Sequence, residues 1–513
     1  MLASDVFVTL AVQTRWRARE GLWAMVLVGF LAIVNYCVGL DNPPGTVWDE
    51  SYYLTATERY SEGLAQFASH PPLGLMLIAL GDRVFSTGPQ PDTRALGRVK
   101  SVKGDMLPAG YSFAPIRAAS AVFAVLGAIT FFGLMRQLTS STFAALAFSN
   151  LFTFENAFVA QFRAAQLDVF QVAFVVVALL LFTLAVKREQ KPSAALDAGF
   201  GASCGLAMMV KLNAAVLALL GAMLILRRVT PAWRKVPASA PLLATRYRLL
   251  WAAAGDAAVM ASACLTTMIA VFTVHLAVSS HPVNTQTPAG QKDEAFLSAH
   301  YRDYLDGKTS LTPAVVWDAA NDYWRFMVAD LEGIPRADRN GSRPMEWPLG
   351  LGTINYRWDS DGTHTSYVQL VSNQVGWLLA GAAPLAAIAL LILQWRWPVP
   401  SSDPARRPLM VMLLIEYVAF MGLHQCLSYF RVMYLYHYFI GLLLTFCLLP
   451  MVFAEAVERW EWLRDRQSTI LGAMTAALLV SFVFYAPLSY HRPLTHGQCE
   501  LRNLFEHVVD CRP

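Results

Sequence analysis

Eleven apolar runs divide the chain, at 22–40, 114–135, 142–158, 167–187, 196–211, 213–228, 255–278, 375–394, 408–424, 433–454 and 469–489. Crossing a bilayer takes ~20 mostly apolar residues, and the third, fifth and sixth runs are short for that. In hydrocarbon the backbone must satisfy its own hydrogen bonds, so these runs are predicted as helices. The expected fold is an all-α polytopic membrane bundle of about eleven helices that uses residues 1–513 as one domain. Polar segments alternate with basic ones. Arg15/Arg17/Arg19, Arg136, Lys187/Arg188/Lys191, Arg227/Arg228/Arg234/Lys235/Arg246/Arg248, Arg396/Arg406/Arg407 and Arg459/Arg464/Arg466 all fall on one side. The positive-inside rule makes that side the cytoplasm, and it puts the N-terminus there. The other side carries a first loop at 41–113, the turn at 155–166, a large loop at 279–374, the segment 424–433 and a tail at 490–513. Within the first loop Leu73–Phe85 is amphipathic and too short to span, so it is expected to lie in the interface plane. The first run is long enough to span and lacks a small-residue cleavage site, so it reads as a helix rather than a cleaved signal.

Composition agrees. The chain is 56% hydrophobic and 15% charged, against ~25% charged in soluble domains. Mean hydropathy is +0.41. A net charge of +4 spread through short loops gives no nucleic-acid footprint. Cys37, Cys204, Cys264, Cys426 and Cys447 lie in apolar runs and read as small buried hydrophobes. Cys499 and Cys511 lie in the tail, where they could pair if that side is oxidising.

The ionisable residues at span ends carry the chemistry. Asp49 and Glu50 follow the first run, and His70 follows in the same loop. Arg117 opens the second run; Glu155, Arg163 and Asp168 flank the turn between the third and fourth, with the polar Asn156 beside Glu155; Lys211 ends the fifth; Arg431, His437 and Tyr438 open the tenth. All face the extracytoplasmic boundary. Charges at membrane depth are expensive and point to function. Each also has an ordinary reading: Asp49 as a helix cap, Arg163 or Arg431 as an interfacial anchor, and His70 or His437 as a hydrogen bond under a loop. Trp347, Trp358 and Trp377 are expected in an interfacial belt rather than stacked on sugar. As a set of both signs on one face, the group reads as a polar site. Carboxylates supply a general base, and Arg and Lys hold phosphate. With no GxxxxGK loop and no soluble domain on the cytoplasmic side, a lipid-borne phosphate fits better than a nucleotide.

At these residues the chain resembles the protein O-mannosyltransferase family, membrane glycosyltransferases of the GT-C type. Val47-Trp48-Asp49-Glu50 with His70-Pro71-Pro72-Leu73-Gly74 looks like its Asp-Glu loop and His-Pro-Pro element. Pro115-Ile116-Arg117, Phe154-Glu155-Asn156-Ala157 with Gln161-Phe162-Arg163 and Leu167-Asp168, and Gly205 to Lys211 follow in family order. So do Trp347-Pro348-Leu349, Asn373 to Trp377, and Tyr436-His437-Tyr438-Phe439. Leu75 stands where the family has Lys, Ser51-Tyr52-Tyr53 replaces Val-His-Phe, and Gln374 replaces a Pro. The loop 279–374 is too short for the β-trefoil domain of eukaryotic members, so the resemblance is to a bacterial type in the inner membrane. It implies transfer of mannose from a polyprenyl-phosphate donor to a Ser or Thr hydroxyl of an acceptor protein. Asp49 would be the general base, with Glu50 holding an arginine or the acceptor. Arg117, Arg163 and Lys211 would hold the lipid phosphate, and the remaining residues would bind substrate. No metal and no cofactor are expected. The alternatives are a related transferase with a lipid or glycan acceptor, such as an aminoarabinose transferase, and a transporter, against which stands the lack of an inverted repeat.

Overall fold

A computed structural model describes residues 2–87, 91–188, 192–234, 242–334, 336–504 and 508–511. Lys191 and Lys235 of the basic loops lie outside them. Among the described residues each predicted run is helical. Nine helices among the described residues are long and apolar enough to span: Arg19–Cys37 (the end of α1, Leu2–Cys37), α4 (Ala114–Thr139), α7 (Asp168–Lys187), Leu212–Thr230 (most of it in α9, Ala218–Arg234), Arg246–Val278 (in α10, Leu242–Val278), α14 (Gln374–Arg396), α15 (Arg406–Leu427), Leu435–Arg459 (mostly α16, Phe439–Arg459) and α17 (Glu461–Ser489). The third run is a broken pair, α5 (Thr142–Thr153) and α6 (Asn156–Phe162), bent by 56°. The fifth is the shorter α8 (Ala194–Met208). Without a water-driven force between helices, packing depends on close backbone approach. Gly201 and Gly205 supply it: a Cβ on Gly201 would lie 2.1 Å from the Met260 carbonyl oxygen of α10, and one on Gly205 2.7 Å from that of Cys264.

The segments between spans are ordered. The first loop holds α2 (Glu50–Ser61) and α3 (Leu73–Phe85), which matches the amphipathic stretch. Gly81 of α3 lies where a Cβ would come 2.6 Å from that of Ala119, so α3 packs on α4. The large loop holds α11 (Pro288–Glu294), α12 (Ala299–Leu305), α13 (Pro313–Glu332) and an antiparallel hairpin of β1 (Ile354–Ser360) and β2 (Thr365–Leu370). The hydrophobic pattern had not suggested these strands. The ladder slips between Asn355 and Arg357, a bulge that turns the intervening Tyr356 inward; a bulge re-aims one side chain in this way. The tail pairs β3 (Pro493–Leu494) with β2, adds α18 (His496–Glu500), and closes a Cys499–Cys511 disulfide, so the open question about these thiols resolves to a bridge. Gln369 of β2 binds both the N–H and the carbonyl of Asp510.

Two expectations are corrected. Trp347 and Trp377 are fully buried at 0% exposure rather than in a belt, because both pack around Tyr438 inside the bundle; Trp358 is 43% exposed. Of the five apolar-run cysteines only Cys204 and Cys447 are buried, while Cys426 is exposed because α15 turns that face outward.

Substituting Gly201→Val is expected to force α8 and α10 apart and destabilise the fold by ~1–3 kcal/mol or more, the usual cost of overpacking. Thermal melting of the detergent-solubilised chain would read this, and an unchanged melting temperature would show that the contact is not tight.

Candidate active site

The chain leaves α1 and makes a tight loop before α2. Trp48 takes a left-handed φ of 49°, a conformation that costs a bulky residue ~1–3 kcal/mol and is kept where surroundings over-determine it. Its ring is held by Tyr356 and Tyr434, with centroids at 5.2 and 5.7 Å. This turn sets Asp49 at the N-cap of α2, yet its side chain makes no capping bond. The ordinary reading of Asp49 as a cap therefore fails. Its carboxyl instead takes a hydrogen bond from Tyr53 and faces Lys211 and Asp168. Burial pushes it up to about 6; the Lys211 charge opposes the shift and the Asp168 charge adds to it.

Lys211 follows α8 in extended backbone, φ −148°. Its Nζ lies 2.7 Å from Asp168 Oδ1 and 4.9 Å from the Tyr436 ring centre. Asp168 opens α7, and its Oδ2 accepts from Gln161 Nε2 at 2.6 Å. Gln161 Oε1 in turn accepts from the bulged Tyr356 hydroxyl. His70 has its carbonyl held by the Tyr323 hydroxyl of α13 at 2.8 Å. Burial, then the charges of Lys211 and Arg431, push the His70 ring down to about 3, so it is neutral at ordinary pH. Arg431 is half-buried, and among the described residues the one hydrogen bond of its side chain is from Nε to its neighbour's carbonyl, Val432 O, at 3.4 Å. His437 lies within range of the charges of Arg431 and Lys211, with Nδ1 3.0 Å from Tyr434 N. Asp49, Asp168, Lys211, His70, Arg431 and His437 thus come together.

The other expected site residues do not join them. Arg117 is 1% exposed and forks onto Glu50: Nε to Oε1 and Nη2 to Oε2, both 2.8 Å. Its other three N–H groups go to the carbonyl oxygens of Leu40, Pro43 and Gly45, at 2.8, 2.9 and 2.7 Å. A guanidinium has five donors. All are engaged, which leaves Arg117 none for a phosphate. Arg163 is spent on the last turn of α1, donating to the carbonyls of Asn35, Val38 and Gly39. Glu155 caps α6 and accepts from Asn373 N at 2.9 Å, pinning the start of α14 to the broken helix. Asn156 donates to Phe482 O at 3.1 Å. Tyr438 is buried against Tyr417, with their hydroxyls 3.2 Å apart. Residue type and position at a span end do not distinguish a cation that caps carbonyls from one that faces a site. Tyr53 and Tyr356 were missed; Gln161 lay inside a quoted motif and was a readable signal. Glu416, in the middle of α15 with neither carboxyl oxygen hydrogen-bonded among the described residues, was also overlooked.

Two family models match the chain: dolichyl-phosphate-mannose-protein mannosyltransferase over residues 26–280, and the C-terminal four-span region of protein O-mannosyltransferase over 322–508. The chain belongs to the protein O-mannosyltransferase family. It is a multi-pass membrane enzyme that transfers a sugar from a lipid-phosphate donor. No curated protein sequence matches it at a significant level. Among solved structures it is similar to the Saccharomyces cerevisiae Pmt1–Pmt2 complex bound to the sugar donor, with TM-score 0.73, 13% identity, and coverage of 95% of this chain and 92% of that one. This member of the family therefore shares the mannosyltransferase fold. The Archaeoglobus fulgidus oligosaccharyltransferase with zinc and sulfate aligns at TM-score 0.47 and 13% identity, over 96% of this chain and 57% of that one. ArnT from Cupriavidus metallidurans bound to undecaprenyl phosphate aligns at 0.34 and 15%, over 86% and 79%.

Glu50→Gln is expected to destabilise the enzyme by ~3–5 kcal/mol, the cost of stranding a buried charge. Asp49→Asn, which breaks no ion pair, should melt near wild type. Equal melting temperatures for both variants would remove Glu50 from the framework.

Proposed function

We propose that this mannosyltransferase moves mannose from a polyprenyl-phosphate carrier to a Ser or Thr hydroxyl of a protein, with Asp49 as general base. The observation that carries the reading is Asp49 facing Lys211 and Asp168 with no capping bond of its own. The acceptor hydroxyl gives its proton to Asp49 as its oxygen bonds to C1 of the sugar. The C1–O bond to phosphate breaks, and the lipid phosphate leaves with the electron pair. Lys211 and Arg431 meet the developing charge, because fixed cations in a dry site stabilise it far more than water can. His70, kept neutral, and His437 orient sugar or phosphate. Lys211 and Arg431 supply the positive charge this step needs, so it calls for no metal and no cofactor. In the proposed setting, a bacterial inner membrane, the basic loops lie in the cytoplasm. The N-terminus is then cytoplasmic, and the site and the Cys499–Cys511 tail are outside, where a disulfide persists.

Asp49→Asn should lower transfer from labelled polyprenyl-phosphate mannose to a Ser/Thr peptide by ~10²–10⁴ while donor affinity holds. Wild-type turnover by this variant would remove the base. Label in a glycolipid and never in peptide would instead favour a lipid acceptor.

The base works only when ionised, so kcat/KM should rise with pH through about 6 and level off above it. A profile flat from pH 5 to 8 would contradict the assignment of Asp49, since its ionisation falls in that window. Lys211→Gln should raise donor KM and lower kcat together; Arg431→Gln should do so less strongly.

A further inference from the structure

At the end of the bundle opposite Asp49 lies a cavity of about 450 Å³, a volume typical of ligand pockets. It is walled by the α4–α5 turn, the start of α15, the end of α16 and the start of α17. Its two halves differ in chemistry. Ser141, Ser402, Arg406, Glu458, Gln467 and Ser468 line the polar part. Phe143, Pro450, Phe453 and Leu471 line the rest. Phe143 is 53% exposed and Gln467 and Ser468 are exposed, so the rim opens to the side of the bundle.

The polar part is built around a charged side chain that is nine-tenths buried. Arg406 is 6% exposed, with Nη1 on Glu458 Oε2 at 2.6 Å and Nη2 on the Ser402 hydroxyl at 3.3 Å. Its Nε–H has no hydrogen-bond partner among the described residues, and Glu455 Oε2 pairs with Arg406 Nη1 at 3.8 Å. Arg407 pairs with Glu455 at 2.8 Å, and Arg459 sits on the Trp397 carbonyl and Gln394. Of these charges only Arg406 and Glu458 line the cavity; the cluster that backs them, three guanidiniums against two carboxylates, and the N-terminal end of α15, Arg406–Leu427, leave this end of the bundle positive. A net positive, hydroxyl-lined end next to an apolar wall with a lateral mouth matches one kind of occupant. We propose that this cavity holds a phospholipid of the adjacent leaflet, its phosphodiester against Arg406 and the serine hydroxyls and an acyl chain along Phe143, Phe453 and Leu471. The site is separate from the transfer site, lying at the far ends of α4, α15 and α16, and does not depend on the proposed acceptor or sugar.

The test uses the full chain purified in mild detergent. Native mass spectrometry of wild type should show one retained phospholipid. Arg406→Gln should cut retention about tenfold or more, the expected loss for removing a charged hydrogen-bond partner. Because Arg406→Gln also disturbs the ion network and could unfold the region, Ser468→Trp, which blocks the mouth and leaves that network intact, serves as the second variant and should also lose the lipid. In a competition arm, short-chain phosphatidylethanolamine and phosphatidylglycerol should displace the retained lipid, and inorganic phosphate at the same concentration should not. Lipid retained undiminished by Ser468→Trp, no lipid in wild type, or displacement by inorganic phosphate alone would each overturn the proposal; the last would mark a free-phosphate site.

Discussion

The buried pair of Glu50 and Arg117 holds the catalytic end of this enzyme together. Glu50 accepts four hydrogen bonds: two from Arg117, one from Val47 N at 2.9 Å and one from Ala165 N at 2.8 Å. Arg117 adds the carbonyls of Leu40, Pro43 and Gly45. One ion pair thereby joins the exit of α1, the loop before α2, the first turn of α4 and the α6–α7 turn. A buried pair is worth little beyond its desolvation cost unless its remaining lone pairs and protons are used. Here all five guanidinium donors are used, so the pair fixes geometry as well as charge. The loop it anchors is the one whose strained Trp48 aims Asp49, so the strain has a scaffold to hold it.

Two adjacent carboxylates consequently have opposite lives. Glu50 is saturated and closed off; Asp49, one residue earlier, has a single tyrosine bond and an open face toward Lys211. Environments that set neighbouring titratable groups apart divide their roles in the same way at other active sites. Lys211 is governed from further away. Asp168 holds its ammonium, Gln161 holds Asp168, and Tyr356 of the hairpin holds Gln161. The large loop therefore reaches the cation through side chains rather than by covering it.

Much of this was legible in the chain. Hydropathy found every span, because lipid admits few sequences other than apolar ones, and α3 emerged with the expected limits. The motifs named Asp49, His70, Asp168, Lys211 and His437, and position at a span end named Arg431; the structure brings these six together. What the sequence could not show was which cations were already committed. Arg117 and Arg163 look as suitable for a phosphate as Arg431, yet their donors go to carbonyls of helix ends and loops that meet only in three dimensions. Glu155 and Asn156 likewise hold a helix start and a carbonyl, which residue type does not reveal, since a cap and a ligand share one chemistry. The hairpin escaped because a bulge breaks its alternation at the one residue, Tyr356, that matters most to the site. Trp347 and Trp377 were placed at the interface by residue type, but the bundle's own aromatic core claimed them.

Charge conservation gives the proposed chemistry a further constraint. Before transfer the pocket holds ionised Asp49 and a phosphodiester with one negative charge. Afterwards it holds a neutral Asp49 and a phosphomonoester with two. The total is unchanged; one charge has moved from carboxylate to phosphate across Lys211, which faces the first and is proposed to meet the second. A cation between the two needs no large rearrangement, and its partner Asp168 keeps it from binding the product too tightly. Resetting the base then requires only that the proton continue along the same path. A phosphomonoester loses its second proton near pH ~6, and burial has lifted Asp49 to about 6 as well. The two acids are close in strength, so the proton taken from the acceptor has a route to the departing lipid phosphate. An ordinary carboxylate, two units more acidic, would release that proton readily but would accept it poorly from a hydroxyl, and the burial of Asp49 resolves that conflict.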